Sequence, residues 1–350
     1  MPGEFRLREL GPEDGPAIAA LDGQSPDGGT VAFSTVYLQD PFAALSALHP
    51  GVTGVAAVSP DHPGIVGMGA MTMGHCLYEG DNRPYAYLFN ISVNPELRRR
   101  GIASRIYSWL IGAAREKLGD DTIIVAGIQN GNDASIRAAS VWSSDLVQRT
   151  RTVITRMRTS PPRPLAKMEV REAEEADWDE IAMSVNRFYG QYNLYPPQTG
   201  QSLRTLHGAT TLGFPIRHYY VVIEAHGSIV AGLSMTDEGS IEPIRIQRMP
   251  LFMRLGNRLL NVLPANGTMR RLPVHGLWFA ENRIDAATYL WDTVRYLWRD
   301  RAEAMTAFVD PRSPLAEAIP RSPFIPVSGG YVALAAPVRP SPKRFLYHHA

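Results

Sequence analysis

The stretch from Tyr85 to Ser104 constrains the fold of this 350-residue chain more than any other. Its first part, the apolar and aromatic run from Tyr85 to Val93, predicts a strand. Pro95 favours the end of that strand, because proline has no N–H to donate to a sheet. A helical pattern then continues to about Leu118. The stretch therefore predicts a strand, an arginine-rich turn and a helix, in that order.

The turn has the properties of an anion-binding site. It reads Arg98-Arg99-Arg100-Gly101-Ile102-Ala103-Ser104, and the small Gly101 and Ala103 leave room for an anion near the backbone. The first N–H groups of a helix have no partners within it, and the helix dipole makes that end positive. With the arginines, they predict a site for a phosphate or diphosphate. A Walker loop would need Gly-Lys-Ser/Thr and a dinucleotide fingerprint three glycines, and the turn has neither.

Composition narrows the class of protein. The length suits two domains, and 45% hydrophobic with 20% charged residues indicates a globular chain. A formal net charge of +1 argues against a general nucleic-acid binder. Cys76 is the only cysteine, which excludes an intrachain disulfide. The N-terminus lacks the apolar core of a signal peptide, and no apolar run is long enough to span a bilayer. We therefore expect a cytoplasmic protein.

Three pairs of similar segments, one member in each half of the sequence, indicate a duplication. Val170-Arg171-Glu172 followed by Asp177 repeats Leu7-Arg8-Glu9 followed by Asp14, and Ile229–Thr236 repeats Ile65–Thr72. Asp310–Ser313 repeats Asn132–Ser135 at a larger separation, as expected if the second half carries an insertion within residues 240–272. Repeats in the same order predict a duplicated domain. We expect one domain over residues 1–158, a Pro-rich linker over 159–167 and a second domain over 168–350.

The turn and the duplication together resemble the GNAT superfamily of N-acyltransferases. The acyl-CoA loop of that family follows the pattern Gln/Arg-x-x-Gly-x-Gly/Ala, which Arg98 to Ala103 matches. The resemblance implies an α/β (α+β) fold of two tandem GNAT-like domains, each a mixed, mostly antiparallel twisted sheet flanked by helices. The corresponding segment of the second copy, Glu281 to Ala286, has no glycine. We expect this degenerate copy not to bind acyl-CoA in the usual way.

The resemblance also implies a reaction and its donor site. Acetyl-CoA or another acyl-CoA would be attacked directly by the primary amine of a small metabolite or amino-acid-like acceptor, and no metal is expected. In this family a backbone N–H near Ser92 or Val93 would bind the thioester carbonyl, and the turn would hold the diphosphate. Asn132 and Ser135 match the family's Asn-x-x-Ser, although Asn132 is equally well explained as a helix cap. The predicted cofactor-binding residues are Ile91, Ser92, Val93, Arg98, Arg99, Arg100, Gly101, Ile102, Ala103, Ser104, Asn132 and Ser135.

The catalytic groups are less well defined, because the strand from Tyr85 to Val93 carries no carboxylate. Ala139 stands where many family members have a tyrosine acid, but a thiol with a pKa of about 8.5 can leave unassisted. The candidate catalytic residues are His75, with an intrinsic pKa suited to a base, Glu79, and Asn90, which would hold a water. His75 is alternatively a hairpin residue and Glu79 a solvated turn residue. Cys76 is a further candidate, as a nucleophile.

The sequence allows more than one interpretation of the acceptor site and of the binding partners. Tyr189, Tyr192 and Tyr195 would either wall an acceptor pocket or pack between domains. The amphipathic segment Leu251 to Leu263 would either pack on its own domain or dock an acyl chain, an acidic carrier protein or a membrane. We expect a small-molecule amine as partner, without nucleic acid, membrane or carrier protein, and leave a homodimer open. The alternatives to an N-acetyltransferase are an acyl-CoA-binding regulatory module without turnover, or an enzyme using a long-chain or carrier-bound donor.

Overall fold

The computed structural model of the protein describes residues 5–25, 27–28, 31–249, 251, 264, 266–320 and 328–348. Apart from Leu251, the predicted amphipathic segment lies outside these residues. The helices are α1 (Gly15–Gln24), α2 (Pro41–Leu48), α3 (Ile102–Leu118), α4 (Asp133–Ala139), α5 (Trp178–Tyr189), α6 (Gly200–Gly208), α7 (Ile284–Leu297) and α8 (Leu315–Ala318).

Alternating apolar segments form the strands. They are β1 (Arg6–Glu9), β2 (Asp27–Gly28), β3 (Ala32–Thr35), β4 (Thr53–Ser59), β5 (His62–Tyr78), β6 (Asp81–Val93), β7 (Ile123–Gln129), β8 (Asp145–Arg156), β9 (Met168–Glu172), β10 (Tyr192–Asn193), β11 (Arg217–Glu224), β12 (Ile229–Thr236), β13 (Ile244–Arg248), β14 (Thr268–Met269), β15 (Arg271–Phe279), β16 (Ala304–Val309), β17 (Ser328–Ala335) and β18 (Phe345–Leu346).

Twelve of these strands form one sheet in the order β1-β4-β5-β6-β7-β17-β8-β16-β15-β12-β11-β9. Within it, only β6 with β7 and β15 with β16 run parallel. The sheet is mixed and mostly antiparallel, and helices pack against it, as predicted. The expected strand-turn-helix is β6 followed by α3, and α3 ends at Leu118.

Strands from the two halves alternate at the middle of the sheet. β17, which comes from the end of the chain, lies between β7 and β8 and pairs antiparallel with both. β8 in turn pairs with β16, from the second half. A strand from well beyond residue 158 therefore completes the part of the sheet that the N-terminal half begins.

A smaller sheet also joins the halves. Its order is β14-β13-β3-β2, so β3 from the first half pairs with β13 from the second. The pairing continues beyond both strands, because Val36 N–H donates to Pro243 O (2.8 Å) and Leu38 N–H to Ile241 O (2.9 Å). This places Tyr37 opposite Glu242.

The first pair of similar segments forms the same side-chain contacts in both halves. Arg8 donates two hydrogen bonds to the Asp14 carboxylate (2.7 and 2.6 Å), and Arg171 donates two to Asp177 (2.6 and 3.1 Å). In both pairs the arginine hydrogen bond lowers the pKa of the aspartate. The two carboxylates also accept from the backbone N–H groups of Gly11 and Glu174. Equivalent contacts 163 residues apart support the duplication.

Helix α3 packs closely on β5 because two glycines lie beneath it. A Cβ atom on Gly69 would lie 2.6 Å from Ile106 Cγ2 and 2.6 Å from Ile91 Cδ1, and one on Gly67 would lie 2.9 Å from Ile102 Cγ2. The helix can therefore approach the sheet only where side chains are missing.

We expect Gly69→Ala to lower the free energy of unfolding by about 1–3 kcal/mol, because the added methyl overpacks this contact. Denaturant unfolding would measure the change. Gly112→Ala is a matched control on the exposed side of the same helix, where a Cβ meets no atom within 4 Å. That change should raise stability by up to about 1 kcal/mol. A Gly69→Ala protein as stable as the wild type would contradict the packing argument.

Candidate active site

The first half of the sheet contains an opening between β6 and β7. Their parallel pairing extends only from Tyr85–Leu88 with Ile123–Ala126, and within the described residues the two strands do not pair beyond it. A bulge in β6 accompanies the separation, since Met68 faces Ser92 but Ala70 faces Phe89. Asn90, in the bulge, has a left-handed backbone with φ of 52°. The result is a gap in the sheet with backbone groups along its edges.

Strand geometry shows which N–H groups face this opening. Asn94 N–H donates to Val66 O in β5 (2.9 Å). Successive N–H groups of an extended strand point to opposite sides, so Val93 N–H points away from β5 and towards the opening. Ser92 N–H points towards β5. Of the two predicted carbonyl donors, the orientation therefore favours Val93.

The predicted diphosphate turn lies directly after this strand. Arg99 and Gly101 both have left-handed backbones, with φ of 66° and 80°, and Gly101 is the N-cap of α3. No side chain caps this helix end, so the N–H groups of its first turn are available. A Cβ on Gly101 would meet no atom within 4 Å, which means that the space in front of it is open.

The three arginines of the turn have different roles. Arg98 donates to Ser25 Oγ (2.7 Å) and Val93 O (3.4 Å), which connects the turn to α1 and β6. Arg99 and Arg100 are exposed, and neither forms an ion pair with another described residue. These two side chains are free to meet an anion at the helix end.

The Asn-x-x-Ser residues form a helix cap. Asn132 Oδ1 accepts from Ser135 N–H (3.2 Å) at the start of α4. Ala139, where a tyrosine acid was sought, is fully buried. A cofactor contact by Asn132 or Ser135 stays a prediction.

The three predicted catalytic residues lie in different places. His75 is exposed on β5, six residues beyond Gly69, and therefore about 20 Å along the strand from the bulge. Glu79 accepts hydrogen bonds from Asn193 Nδ2 (2.6 Å) and Ser341 N–H (2.8 Å), so it joins the β5–β6 hairpin to the second half. Only Asn90 lies at the opening. Catalytic roles for His75 and Glu79 stay predictions that their positions do not favour.

Cys76 is poorly suited to act as a nucleophile. Its side chain is fully buried, and burial raises the pKa of the thiol to about 12. A thiolate is the reactive form of cysteine, and very little of it exists at neutral pH with such a pKa.

The predicted acceptor tyrosines are packed in the second half. Tyr189, Tyr192 and Tyr195 are each about 2% exposed, and Tyr189 stacks on Tyr195 at 4.8 Å. Tyr195 O accepts from Leu77 N–H (2.7 Å) in β5. The packing alternative describes this arrangement, and an acceptor role for these residues stays a prediction.

A pocket beside the opening contains residues that sequence reasoning did not find. It lies on the face of β5 and β6 opposite α3, and its empty space of about 260 Å³ is partly open to solvent. Its polar groups are Tyr37, His49, Asn90 and Glu242. Glu242 comes from the second half, and no local motif marks it. Only the long-range pairing of residues 36–38 with 241–243 brings it here.

Burial changes the acid–base properties of this pocket. Burial, with Glu238 nearby, raises the pKa of Glu242 to about 8. Burial, with Arg217 nearby, lowers the pKa of His49 to about 4. Tyr37 donates to Asp22 Oδ2 (2.6 Å), and burial raises the pKa of Tyr37 well above its usual value. Near neutral pH, Glu242 is therefore a stronger base than His49.

The second half has a corresponding opening that residues near 346–348 line. β15 and β16 pair only from Arg271–Pro273 with Ala304–Thr306. The space beyond is lined by Leu346, Tyr347 and His348 near the end of the chain, and Leu346 N–H donates to Asp310 Oδ2 (3.1 Å).

The helix that follows this second opening also differs from α3. Before α7, Arg283 forms ion pairs with Glu224 and with Asp285 (3.3 Å). The position that corresponds to the diphosphate turn is therefore occupied by paired side chains. No helix in the described ranges combines the length and apolar character needed to cross a bilayer. Across the same ranges, no group of three His, Cys, Asp or Glu side chains is arranged to hold a metal ion.

Comparison with known proteins agrees with the geometry. Residues 27–140 match the family model described as the Acetyltransferase (GNAT) family. No curated protein sequence matches the chain.

Solved structures resemble the whole chain at low sequence identity. Saccharomyces cerevisiae N-myristoyltransferase with bound myristoyl-CoA is 12% identical, with 98% of this chain and 83% of that chain covered and a TM-score of 0.64. A GCN5-related N-acetyltransferase from Sphaerobacter thermophilus is 14% identical, with 95% of each chain covered and a TM-score of 0.57. A tandem GNAT protein from the clavulanic acid biosynthesis pathway is 14% identical, with 96% and 100% covered and a TM-score of 0.56.

At these identities the solved structures support the fold, while the family model supports the first half directly. The opening in the sheet, the glycine turn and the duplication agree with both. Residues 27–140 thus match the Acetyltransferase (GNAT) family, and the chain as a whole shares its fold with solved N-acyltransferase structures.

Proposed function

We propose that the N-terminal half binds acetyl-CoA, or another short acyl-CoA, and transfers the acyl group to the primary amine of a small molecule. The diphosphate would bind the first N–H groups of α3 together with Arg99 and Arg100. The pantetheine arm would pair with the free edges of β6 and β7. The acceptor would enter from the opposite side, through the pocket at Asn90.

The main support for this proposal is the position of the glycine turn relative to the opening. The glycine turn and the opening both lie at the end of β6, so a single extended ligand can reach from the helix end to the bulge. An anion at the turn gains from the helix dipole and from charged hydrogen bonds. A carbonyl in the opening can accept from Val93 N–H, which would stabilise the negative charge that develops as the amine attacks.

No side-chain acid is required by this scheme. Acyl transfer breaks the thioester C–S bond, and a thiolate whose conjugate acid has a pKa of about 8.5 leaves readily. This accounts for Ala139 at the position where an acid was sought.

We expect Gly101→Ala to weaken CoA binding at least about tenfold, because the methyl group strains a left-handed residue and occupies the open space in front of it. Isothermal titration with CoA would measure the change. Gly119→Ala is the matched control. It introduces at least as much backbone strain at the other end of α3, where φ is 99° and ψ is 163° and a Cβ also meets no atom within 4 Å. Equal binding by both variants would argue against a ligand at the turn.

We also expect thiol release from acetyl-CoA that depends on an added primary amine. A thiol-reactive dye would follow the release with a panel of small amines, and Arg100→Glu should reduce it by reversing the charge at the turn. Acetyl-, octanoyl- and myristoyl-CoA should be compared, since the yeast relative was solved with myristoyl-CoA. Binding of CoA without release for any amine would favour a regulatory module, and a preference for the longest donor would favour the long-chain alternative.

A further inference from the structure

The pocket beside Asn90 supports a more specific account of the acceptor and of its proton. It lies on the opposite face of the sheet from α3, so an acceptor in it would reach the bulge without meeting the donor's path. Its apolar lining consists of Ile18, Pro41, Leu45, Leu48 and Met68. Its enclosed part has room for about one water molecule, so the body of an acceptor would lie against this apolar lining on the side that is open to solvent.

Glu242 is held in place by backbone contacts. The pairing of residues 36–38 with 241–243 fixes its position, and Glu242 N–H also donates to Glu238 O (2.8 Å). The carboxylate of Glu242 accepts no hydrogen bond from any other described side chain. By contrast, Tyr37 opposite it is already bound to Asp22. Of these two facing side chains, the Glu242 carboxylate is therefore the one that is available to a ligand.

The lining of the pocket also contains no cationic side chain among the described residues. Among the described residues that line it, there is no lysine or arginine. Arg217, close to His49, is buried and donates to the backbone oxygens of Ala47 (2.9 Å) and Leu48 (2.7 Å). Arg271, whose charge acts on Glu242, is paired with Glu238 (2.9 Å). A carboxylate on the acceptor would therefore meet Glu242 with no unpaired cation in the lining. An ammonium group would be attracted to the same place.

We propose that Glu242 is the general base of the N-terminal active site, and that its pocket accepts a small apolar primary amine without a carboxylate. This inference rests on the proposed acyl transfer. The ammonium gives one proton to the Glu242 carboxylate, and the neutral nitrogen attacks the thioester carbon. As the C–S bond breaks, the second proton passes to the sulfur, and the amide keeps the third. Glu242 then releases its proton to solvent.

The pH dependence follows from the surroundings of Glu242. The charged and titratable groups around it are Asp22, Tyr37, His49, Glu238 and Arg271. Asp22 and Glu238 add to the effect of burial and Arg271 opposes it, which leaves the pKa at about 8. The base works when deprotonated, so kcat/KM for the amine should rise with pH and level off above about 8.

The decisive variant is Glu242→Gln, which keeps the shape but cannot accept the proton. The amine must then arrive already neutral, so the rising limb of kcat/KM should move towards the amine's own pKa of about 10. At pH 7 we expect kcat/KM of Glu242→Gln to be about 10²-fold below that of the wild type, within the usual range for a general base, and to rise about tenfold per pH unit.

Glu242→Asp should retain part of the activity, and its kcat/KM should rise at a lower pH than that of Glu242→Gln. Glu281→Gln removes an exposed carboxylate of the second half, and it should change neither kcat/KM at pH 7 nor the pH at which kcat/KM rises.

Stability gives a second measurement that does not depend on turnover. A carboxyl whose pKa is raised from 4.5 to about 8 binds its proton more tightly in the folded state. Its contribution is present below its unfolded pKa and is lost as the pH rises through about 8. Wild-type stability should therefore fall over this range relative to Glu242→Gln. If the free energies of unfolding of the wild type and of Glu242→Gln changed with pH in parallel, Glu242 would not have the proposed environment.

The acceptor class is tested with pairs that differ in one group. We expect 3-methylbutylamine to be acylated and leucine, which has the same side chain plus a carboxylate, to be at least about tenfold poorer. Titration with CoA on every variant separates the two proposals. Wild-type protein that does not bind CoA would refute the donor site. Intact CoA binding with an unchanged pH profile in Glu242→Gln, or leucine as the better acceptor, would overturn the present inference.

Discussion

Unpaired backbone groups between β6 and β7 are the constraint on which the first half of this protein depends. Backbone N–H and C=O groups inside a protein need partners, and within the part of the chain that the structure describes this sheet leaves a short row of them unpaired between β6 and β7. The bulge at Asn90 creates the row, and Gly67 and Gly69 bring α3 close enough for its first turn to lie beside it. A ligand that carries amides and phosphates can meet both features at once. The site is therefore a property of the backbone more than of particular side chains.

The two halves satisfy the same constraint differently. The opening between β15 and β16 is lined by Leu346 to His348, and the helix that follows it begins with Arg283 already paired to carboxylates. The second half also contributes to the first. Its residues 241–243 extend the small sheet and form one wall of the pocket at Asn90. On the proposed function, one copy would supply the donor site and the other would shape the acceptor side.

The parts that were predictable from the sequence are local. Gly101 could be recognised because a turn between a strand and a helix needs a left-handed residue and open space, both of which depend on its neighbours in the chain. Arg8 with Asp14 and Arg171 with Asp177 could be matched because each pair spans only six residues. Glu242 could not be found this way, since its place depends on a pairing with residues about 200 positions earlier. His75 and Glu79 are close to β6 in sequence, but the β5–β6 hairpin places them at its far end from the bulge, which no local pattern predicts.

The position of β17 has a consequence for how the protein is made. Translation proceeds at about 5–20 residues per second, so β17 emerges about 10–40 s after β7, to which it is hydrogen-bonded in the finished sheet. During that interval the outer edge of β7 is unpaired, and an exposed strand edge invites association with other chains. The nascent chain must therefore either delay the folding of its first half or shield this edge, for example with β8, until the last strand arrives.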